Sequence, residues 1–311
     1  MTAPPPETPP GPVTAWPACL IVNPLAGNLS AMEDPGPQLA ATLRAAGFAV
    51  ADPEAGADLD TQWARAEGAR IVFVAGGDGT LRDAAARLRG TGRYLAPLPG
   101  GTLNRLCARL DLPNDPMAAA ALYAAAAPGL IDTATANGEV FLYQLVIGRA
   151  TRLMRFREMQ RGGGAGGWWP LVQALLRALT RPFPRELWVW VGPRARKTGQ
   201  AVVITLPEPN RPAGLLLHVA RPAGAVARLR QTWRWFRGKL GEDAEVAERE
   251  VPRVAVHGRQ DGVRMSLDGE MRLARTPVRV NLHKRALSVL VVPPQRPQDG
   301  ERAAPPPGVP A

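Results

Sequence analysis

The run Ile71-Val72-Phe73-Val74-Ala75 is wholly apolar. It leads without a spacer into Gly76-Gly77-Asp78-Gly79-Thr80 and then into a helical stretch, Leu81 to Leu88. A short apolar run stopped by glycines fits a strand buried on both faces, as in a parallel sheet covered by helices. Glycines let the backbone approach a phosphate closely. The first turn of the following helix offers N–H groups that have no intrahelical acceptor, together with the positive end of its dipole. Thr80 adds a hydroxyl, so the turn predicts an anion site. Asp78 would repel a phosphate unless a divalent cation or a substrate hydroxyl stood between them. A magnesium-binding role is therefore one reading of Asp78, and a plain helix cap is the other.

Two more junctions repeat the pattern. Ala18 to Val22 runs into Asn23-Pro24-Leu25-Ala26-Gly27-Asn28, and Leu95 to Leu98 runs into Pro99-Gly100-Gly101-Thr102-Leu103-Asn104. With helical stretches at Leu39 to Ala46, Leu81 to Leu88 and Leu103 to Leu110, residues 18 to 133 read as βα units around a parallel sheet. Parallel strands would bring the three loops to one sheet edge, where open α/β sheets bind their ligands, and this implies a sizeable phosphate-bearing ligand. After Thr133 the pattern changes to strand-like runs, which predict a mostly antiparallel sheet. They are Val140 to Ile147, Leu187 to Val191, Ala201 to Leu206, Gly214 to Ala220, Val251 to His257, Val263 to Leu267, Val278 to Leu282 and Leu287 to Val292. Residues 1–17 and 294–311 are Pro-rich, lack apolar periodicity and read as tails.

Lysine occurs only at Lys197, Lys239 and Lys284, so arginine carries almost all of the net charge of +11. Such a surface suits nucleic acid, an anionic membrane or phosphorylated small molecules. No RNA-binding or helix-turn-helix pattern is present, which argues against nucleic acid. Cys19 and Cys107 fall in core segments without metal or disulfide spacing, and His218, His257 and His283 lie on separate runs; all five read as structural. The polar amino terminus lacks a basic segment followed by an apolar one, so the cytoplasm is the expected location. Met117 to Ala127 and Trp168 to Leu179 are too short or too interrupted to cross a bilayer, which needs about 20 apolar residues.

Four ordered motifs carry a more specific resemblance: Asn23-Pro24 to Gly27, Gly76 to Thr80, Pro99 to Asn104, and Leu267-Asp268-Gly269-Glu270 ahead of the closing strand Leu287 to Pro293. Together they resemble the diacylglycerol kinase catalytic-domain family, which includes sphingosine kinases, ceramide kinases and bacterial lipid kinases. The resemblance implies an α/β plus β fold, with an N-terminal Rossmann-like domain (residues 18–133, rejoined by 285–293) and a C-terminal β-sandwich (134–284). It implies an ATP-dependent, magnesium-using transfer of the γ-phosphate to a lipid hydroxyl in the cleft between the domains. Carried over by position, Asn23, Pro24, Gly27, Gly76, Gly77, Asp78, Gly79, Thr80, Gly101, Thr102 and Asn104 would face the nucleotide. Asp78 would face the metal, and Asp268 and Glu270 would form the acidic pair, one of them the base.

The chain also departs from the family pattern. Asn104-Arg105 stands where many members have Asn-Asp. Phe141 to Gly148 lacks the family's asparagines, and Pro212-Ala213-Gly214-Leu215 replaces an acidic motif tied to a second magnesium site. An NAD-kinase-like enzyme shares the Gly76 to Thr80 turn, and a non-catalytic nucleotide- or lipid-binding regulator fits the departures; both stay open as alternatives. A lipid substrate implies peripheral contact with the inner face of an anionic membrane. Trp168, Trp169, Trp188, Trp190, Trp233 and Trp235 lie among Arg161, Arg177, Arg181, Arg230, Arg234 and Arg237, and this mixture suits a headgroup layer. Trp233-Arg234-Trp235-Phe236-Arg237 is the leading candidate for that contact. The sequence leaves a homodimer open as well.

Overall fold

A computed structural model describes residues 11–54, 56–148, 187–192, 195–207, 214–222, 224, 227, 230, 231, 233, 234 and 239–293. In chain order the elements are β1 (Ala18–Val22), α1 (Pro35–Ala45), α2 (Leu59–Arg65), β2 (Ile71–Gly76), α3 (Asp78–Leu88), β3 (Tyr94–Pro99), α4 (Arg105–Arg109), α5 (Pro116–Leu122) and β4 (Ala127–Ala136). They continue with β5 (Glu139–Phe141), β6 (Gln144–Gly148), β7 (Leu187–Val191), β8 (Ala195–Gly199), β9 (Ala201–Thr205) and β10 (Leu215–Ala220). The last are β11 (Val246–Val251), β12 (Arg253–Gly258), β13 (Gly262–Leu267), β14 (Glu270–Arg275) and β15 (Val278–Val291).

Strands β1, β2 and β3 pair in parallel, and every residue of β2 and β3 is buried, as continuous apolar runs require. This sheet does not stop at β3. Val289 of β15 pairs in parallel with Leu95, β15 then pairs antiparallel with β4 and β12, and β12 leads through β7 to β8. The result is a mixed sheet of nine described strands. A second sheet of six, β11-β10-β9-β6-β13-β14, is antiparallel throughout its described pairs. One core lies around β1 to β3 and their helices and includes Ile131, Leu287 and Leu290. The other lies between the two sheets and includes Ala134, Val278 and Val280. Both β4 and β15 therefore contribute to both cores. No helix among the described residues is long and apolar enough to cross a membrane.

Several elements differ from the sequence pattern for identifiable reasons. The run Val140 to Ile147 is two strands, because the N–H groups of Leu142, Tyr143 and Gln144 turn to the Asp268 carboxylate. Val251 to His257 divides at Pro252, which has no N–H to give a ladder. Val278 to Leu282 and Leu287 to Val292 belong to one strand, with a register shift between His283 and Leu287. The shift is pinned where the Arg285 N–H donates to Asp132 Oδ1 at 2.7 Å. Strand β4 has no apolar run, and its order comes from nine paired residues on β15. The predicted helix from Leu103 begins only at Arg105, since Asn104 has φ 47°. The amino-terminal tail is shorter than its composition suggests: Val13 and Trp16 are buried, and the Trp16 ring lies 5.2 Å from that of Tyr94. The Gly-rich stretch from Arg161 with Trp168, Trp169, Arg177 and Arg181, residues Pro212 and Ala213, and Trp235, Phe236 and Arg237 lie outside the described residues. Arg230 and Arg234, grouped by sequence with a membrane face, instead engage Asp243 at 2.7 and 3.5 Å.

Beyond its last residue β1 is closed by a side chain. Gln62 of α2, 6% exposed, accepts the Val22 N–H at 2.8 Å and donates to the Val22 carbonyl at 3.0 Å. Gln62→Ala should therefore leave both backbone groups without a partner and cost about 1–3 kcal/mol in denaturant unfolding. Acid stability depends on a different pair. Hydrogen bonds from Arg230 hold the Asp243 carboxyl down at about 2, against 3.8 in the free side chain. A carboxyl with a lowered folded-state value adds stability above its unfolded value and loses it as pH falls. Melting curves between about pH 4 and pH 2 should accordingly fall more steeply for the wild type than for Asp243→Asn.

Candidate active site

Three loops interlace at the carboxyl ends of β1, β2 and β3. The Asn23 N–H donates to the Ala75 carbonyl at 2.9 Å, Gly100 N–H to the Gly76 carbonyl at 2.9 Å, and Asn28 N–H to the Gly100 carbonyl at 2.8 Å. Such contact leaves no room for side chains. A Cβ on Gly101 would lie 2.6 Å from Gly77 Cα, and one on Gly100 would lie 3.0 Å from Gly76 Cα. Asn23 Nδ2 donates to Thr80 Oγ1 at 2.9 Å, linking the first loop to the first turn of α3. Gly27 and Thr102 face each other from the outer loops, where a Cβ on the glycine would lie 3.1 Å from Thr102 Oγ1. Gly27, Pro24 and Thr102 are exposed, Asn23 and Gly77 to Thr80 are partly exposed, and Gly76 and Gly101 are buried beneath them.

Asn104 is different. Its side chain is buried and spent on the loop itself, with Oδ1 accepting the Gly101 N–H at 2.7 Å and Nδ2 donating to the Gly101 carbonyl at 2.8 Å. Asp78 stands at the start of α3, and its Oδ1 accepts the Arg105 N–H at 2.7 Å, so this carboxylate also orients α4. Helix α4 in turn reaches the second sheet. Arg109 donates to the carbonyls of Leu142 at 2.7 Å and Pro207 at 2.8 Å, and the Arg105 guanidinium lies 4.6 Å from the Tyr143 ring centre. Burial pushes the Arg109 value down.

Asp268 and Gly269 form the turn between β13 and β14, with φ of 50° and 109°. Positive φ at both central residues is the geometry Asp-Gly favours in a tight hairpin. The Asp268 carboxylate, on a residue 7% exposed, accepts from Leu142 N–H at 2.7 Å and from Tyr143 and Gln144 N–H at 2.8 Å each. Burial pushes its carboxyl above the usual range, and the three N–H groups with Arg82 offset part of that rise. Glu270 projects the other way. Its side chain is 44% exposed and ion-paired with Arg82 at 2.8 Å and Arg272 at 3.2 Å, and a Cβ on Gly79 would overlap its Oε1. The hairpin acid thus rests against the glycine turn, and Gly79 is the residue that makes room for it.

Arg82 was not singled out by sequence. It is buried on the apolar face of α3 with Leu81, Ala85 and Leu88, and it also donates to the Leu267 carbonyl at 3.5 Å. An arginine interrupting the apolar stripe of a helix was the available signal. Among the described residues no group of three or more His, Cys, Asp and Glu side chains could hold a metal unaided. A hard cation here would share phosphate and water oxygens with a single carboxylate, and Asp78 beside the glycine turn fits that donor set. Cys107 is buried and Cys19 partly exposed, both free.

The two acids should separate by stability. Asp268→Ala strips three N–H groups of their acceptor and should lower the melting temperature by several degrees, since each unpaired buried group costs about 1–3 kcal/mol. Glu270→Gln keeps an oxygen acceptor for the buried Arg82 but removes its counter-charge, so it should melt below the wild type yet lose less than Asp268→Ala. Equal losses in thermal scans would contradict this division.

Comparison with known proteins agrees with the motif reading. Residues 17–136 match the family model described as the diacylglycerol kinase catalytic domain. The chain is similar to the crystal structure of a diacylglycerol kinase from Bacillus anthracis str. Sterne, with 19% identity and a TM-score of 0.63 over 89% of this chain and 97% of that one. A second structure from the same strain, assigned provisionally to the same class, gives 19% identity and a TM-score of 0.66 over 92% and 99%. At these identities the structural likeness concerns the fold. The family match spans the first three motifs, while the fourth, Leu267 to Glu270, lies beyond it.

Proposed function

We propose that this protein transfers the γ-phosphate of ATP to a lipid hydroxyl, diacylglycerol or a related lipid, at a membrane surface. The observation that carries the proposal is the contact of Glu270 with Gly79, which sets a half-exposed carboxylate against the phosphate-type turn at the start of α3. Residues 18–133 with 285–293 would form the nucleotide half and residues 134–284 the lipid half.

Asn23, Pro24, Gly27, Gly76 to Thr80, Gly101 and Thr102 hold the triphosphate in this reading, chiefly through backbone N–H groups and the Thr80 and Thr102 hydroxyls. Asn104 supports them by fixing the loop at Gly101. A divalent cation held by Asp78 would neutralise charge on the transferring phosphate. Glu270 takes the proton of the lipid hydroxyl, the freed oxygen forms the new bond to the γ-phosphorus, and ADP leaves. Of the acidic pair, Glu270 is the better base, because Asp268 is committed to three backbone N–H groups. Arg82 holds Glu270 in place from the nucleotide side.

The test is transfer of labelled phosphate to mixed micelles of diacylglycerol, ceramide, sphingoid base or monoacylglycerol. The wild type should label at least one of them. Glu270→Gln should lose at least about 100-fold in kcat, the lower end for a general base, while its KM for ATP stays nearly unchanged. A folded wild-type protein that labels none of these lipids with magnesium present would sink the proposal. ATP binding without turnover would then favour a regulator, and NADP formation an NAD-kinase-like enzyme.

A further inference from the structure

Beyond β15 the first sheet has one face in the sandwich core and a second, outer face. Leu187, Val189, Val254, Val256, Val278 and Val280 point inward and are buried. Side chains alternate along a strand, so Trp188, Trp190, Arg253, Ala255, Arg279 and Asn281 share the outer face. The register makes that face continuous: Trp190 pairs with Ala255, Ala255 pairs with Arg279, and Arg253 pairs with Asn281. Trp190 is 39% exposed, and Arg253, Arg279 and Asn281 are exposed.

At the end of this face, where the chain passes from β14 to β15, a groove of about 520 Å³ is lined by Asn137, Arg275, Thr276, Pro277, Arg279 and Asn281. Asn137 fixes its walls, with Nδ2 donating to the Arg275 carbonyl at 3.0 Å and Oδ1 accepting the Arg279 N–H at 2.8 Å. The arginine side chains stay available. Among the described ion pairs none involves Arg253, Arg275 or Arg279, and the nearby acid Glu139 lies instead 3.9 Å from Arg272. A groove with two uncompensated guanidinium groups and an exposed amide is complementary to phosphate, which arginine can grip with two N–H groups at once. Trp190 on the same face, 39% exposed and 6.0 Å from the His257 ring, adds the kind of amphipathic ring that favours a membrane boundary.

We propose that this groove and the tryptophan-bearing face beside it dock on the phosphate layer of an anionic lipid membrane. The choice of membrane over another anionic partner rests on the lipid-kinase reading. Arg275 and Glu270 stand at opposite ends of β14, roughly 17 Å apart at the usual strand rise, so the docking face can be altered without touching the site.

Sedimentation of the full chain with phosphatidylcholine vesicles, with and without phosphatidylglycerol, tests this. The wild type should sediment with the anionic vesicles only. The double variant R275E/R279E should bind them at least about tenfold more weakly, as expected from the surface attraction each arginine contributes. Trp190→Ala should weaken binding while leaving its dependence on phosphatidylglycerol. R275E/R279E should melt like the wild type, and both variants should phosphorylate detergent-dispersed lipid at the wild-type rate. Equal sedimentation of wild type and R275E/R279E would overturn the proposal, as would equal binding to neutral vesicles. Calorimetric binding of inorganic phosphate that R275E/R279E abolishes, with no vesicle binding by the wild type, would overturn it in favour of a soluble ligand. Arginine-dependent vesicle binding by a chain that phosphorylates no lipid would leave the docking face standing and sink the kinase reading.

Discussion

Three backbone N–H groups converge on the carboxylate of Asp268, and the rest of the site takes its geometry from that bond set. It interrupts what would be a single strand, creating the bend at Leu142 and Tyr143. It fixes the hairpin turn, and the turn aims Glu270 at α3. From there the chain of contacts closes on itself. Glu270 meets Arg82 and Gly79, Asp78 meets the Arg105 N–H, and α4 returns through Arg109 to the Leu142 carbonyl. Two sheets far apart in sequence are thereby held in register by a ring of charged and hydrogen-bonded groups, not by apolar packing alone. A ring of this kind stays in place only if each member is satisfied, and its arginines are accordingly ion-paired, hydrogen-bonded or stacked.

The glycines belong to the same argument. Gly101 is small because a Cβ there would meet the Gly77 backbone, and at Gly79 the carboxylate of Glu270 from the other sheet lies against the bare Cα. The glycine turn is thus shaped from two sides. Neighbouring loops press on it from within the parallel sheet, and the hairpin presses from outside.

Much of this was legible in the sequence where local chemistry sets the outcome. The β2 run, the glycine turn and the start of α3 are dictated by apolar burial, by the need for close backbone approach and by helix polarity, and all three stand where the residues put them. The acidic Asp-Gly turn was also readable. What stayed hidden depends on partners distant in sequence. Strand β4 has no apolar pattern and exists because β15 pairs with it. Arg82 interrupts the apolar stripe of α3, but the partner that accounts for it, Glu270, stands 188 positions away. Asn104, placed by its motif among the groups facing a ligand, is drawn inward by Gly101, and neither residue alone foretells that.

Strand β15 carries one more consequence. It runs unbroken past both cores, pairing with β3 and β4 at one end and with β4 and β12 at the other. Two bodies joined by a loose tether could swing freely, but here any swing would have to twist a shared ladder. That ladder shifts register between His283 and Leu287, where Arg285 takes a left-handed backbone. The two cores are therefore joined through one continuous strand, and its register shift is held by the Arg285 N–H on Asp132.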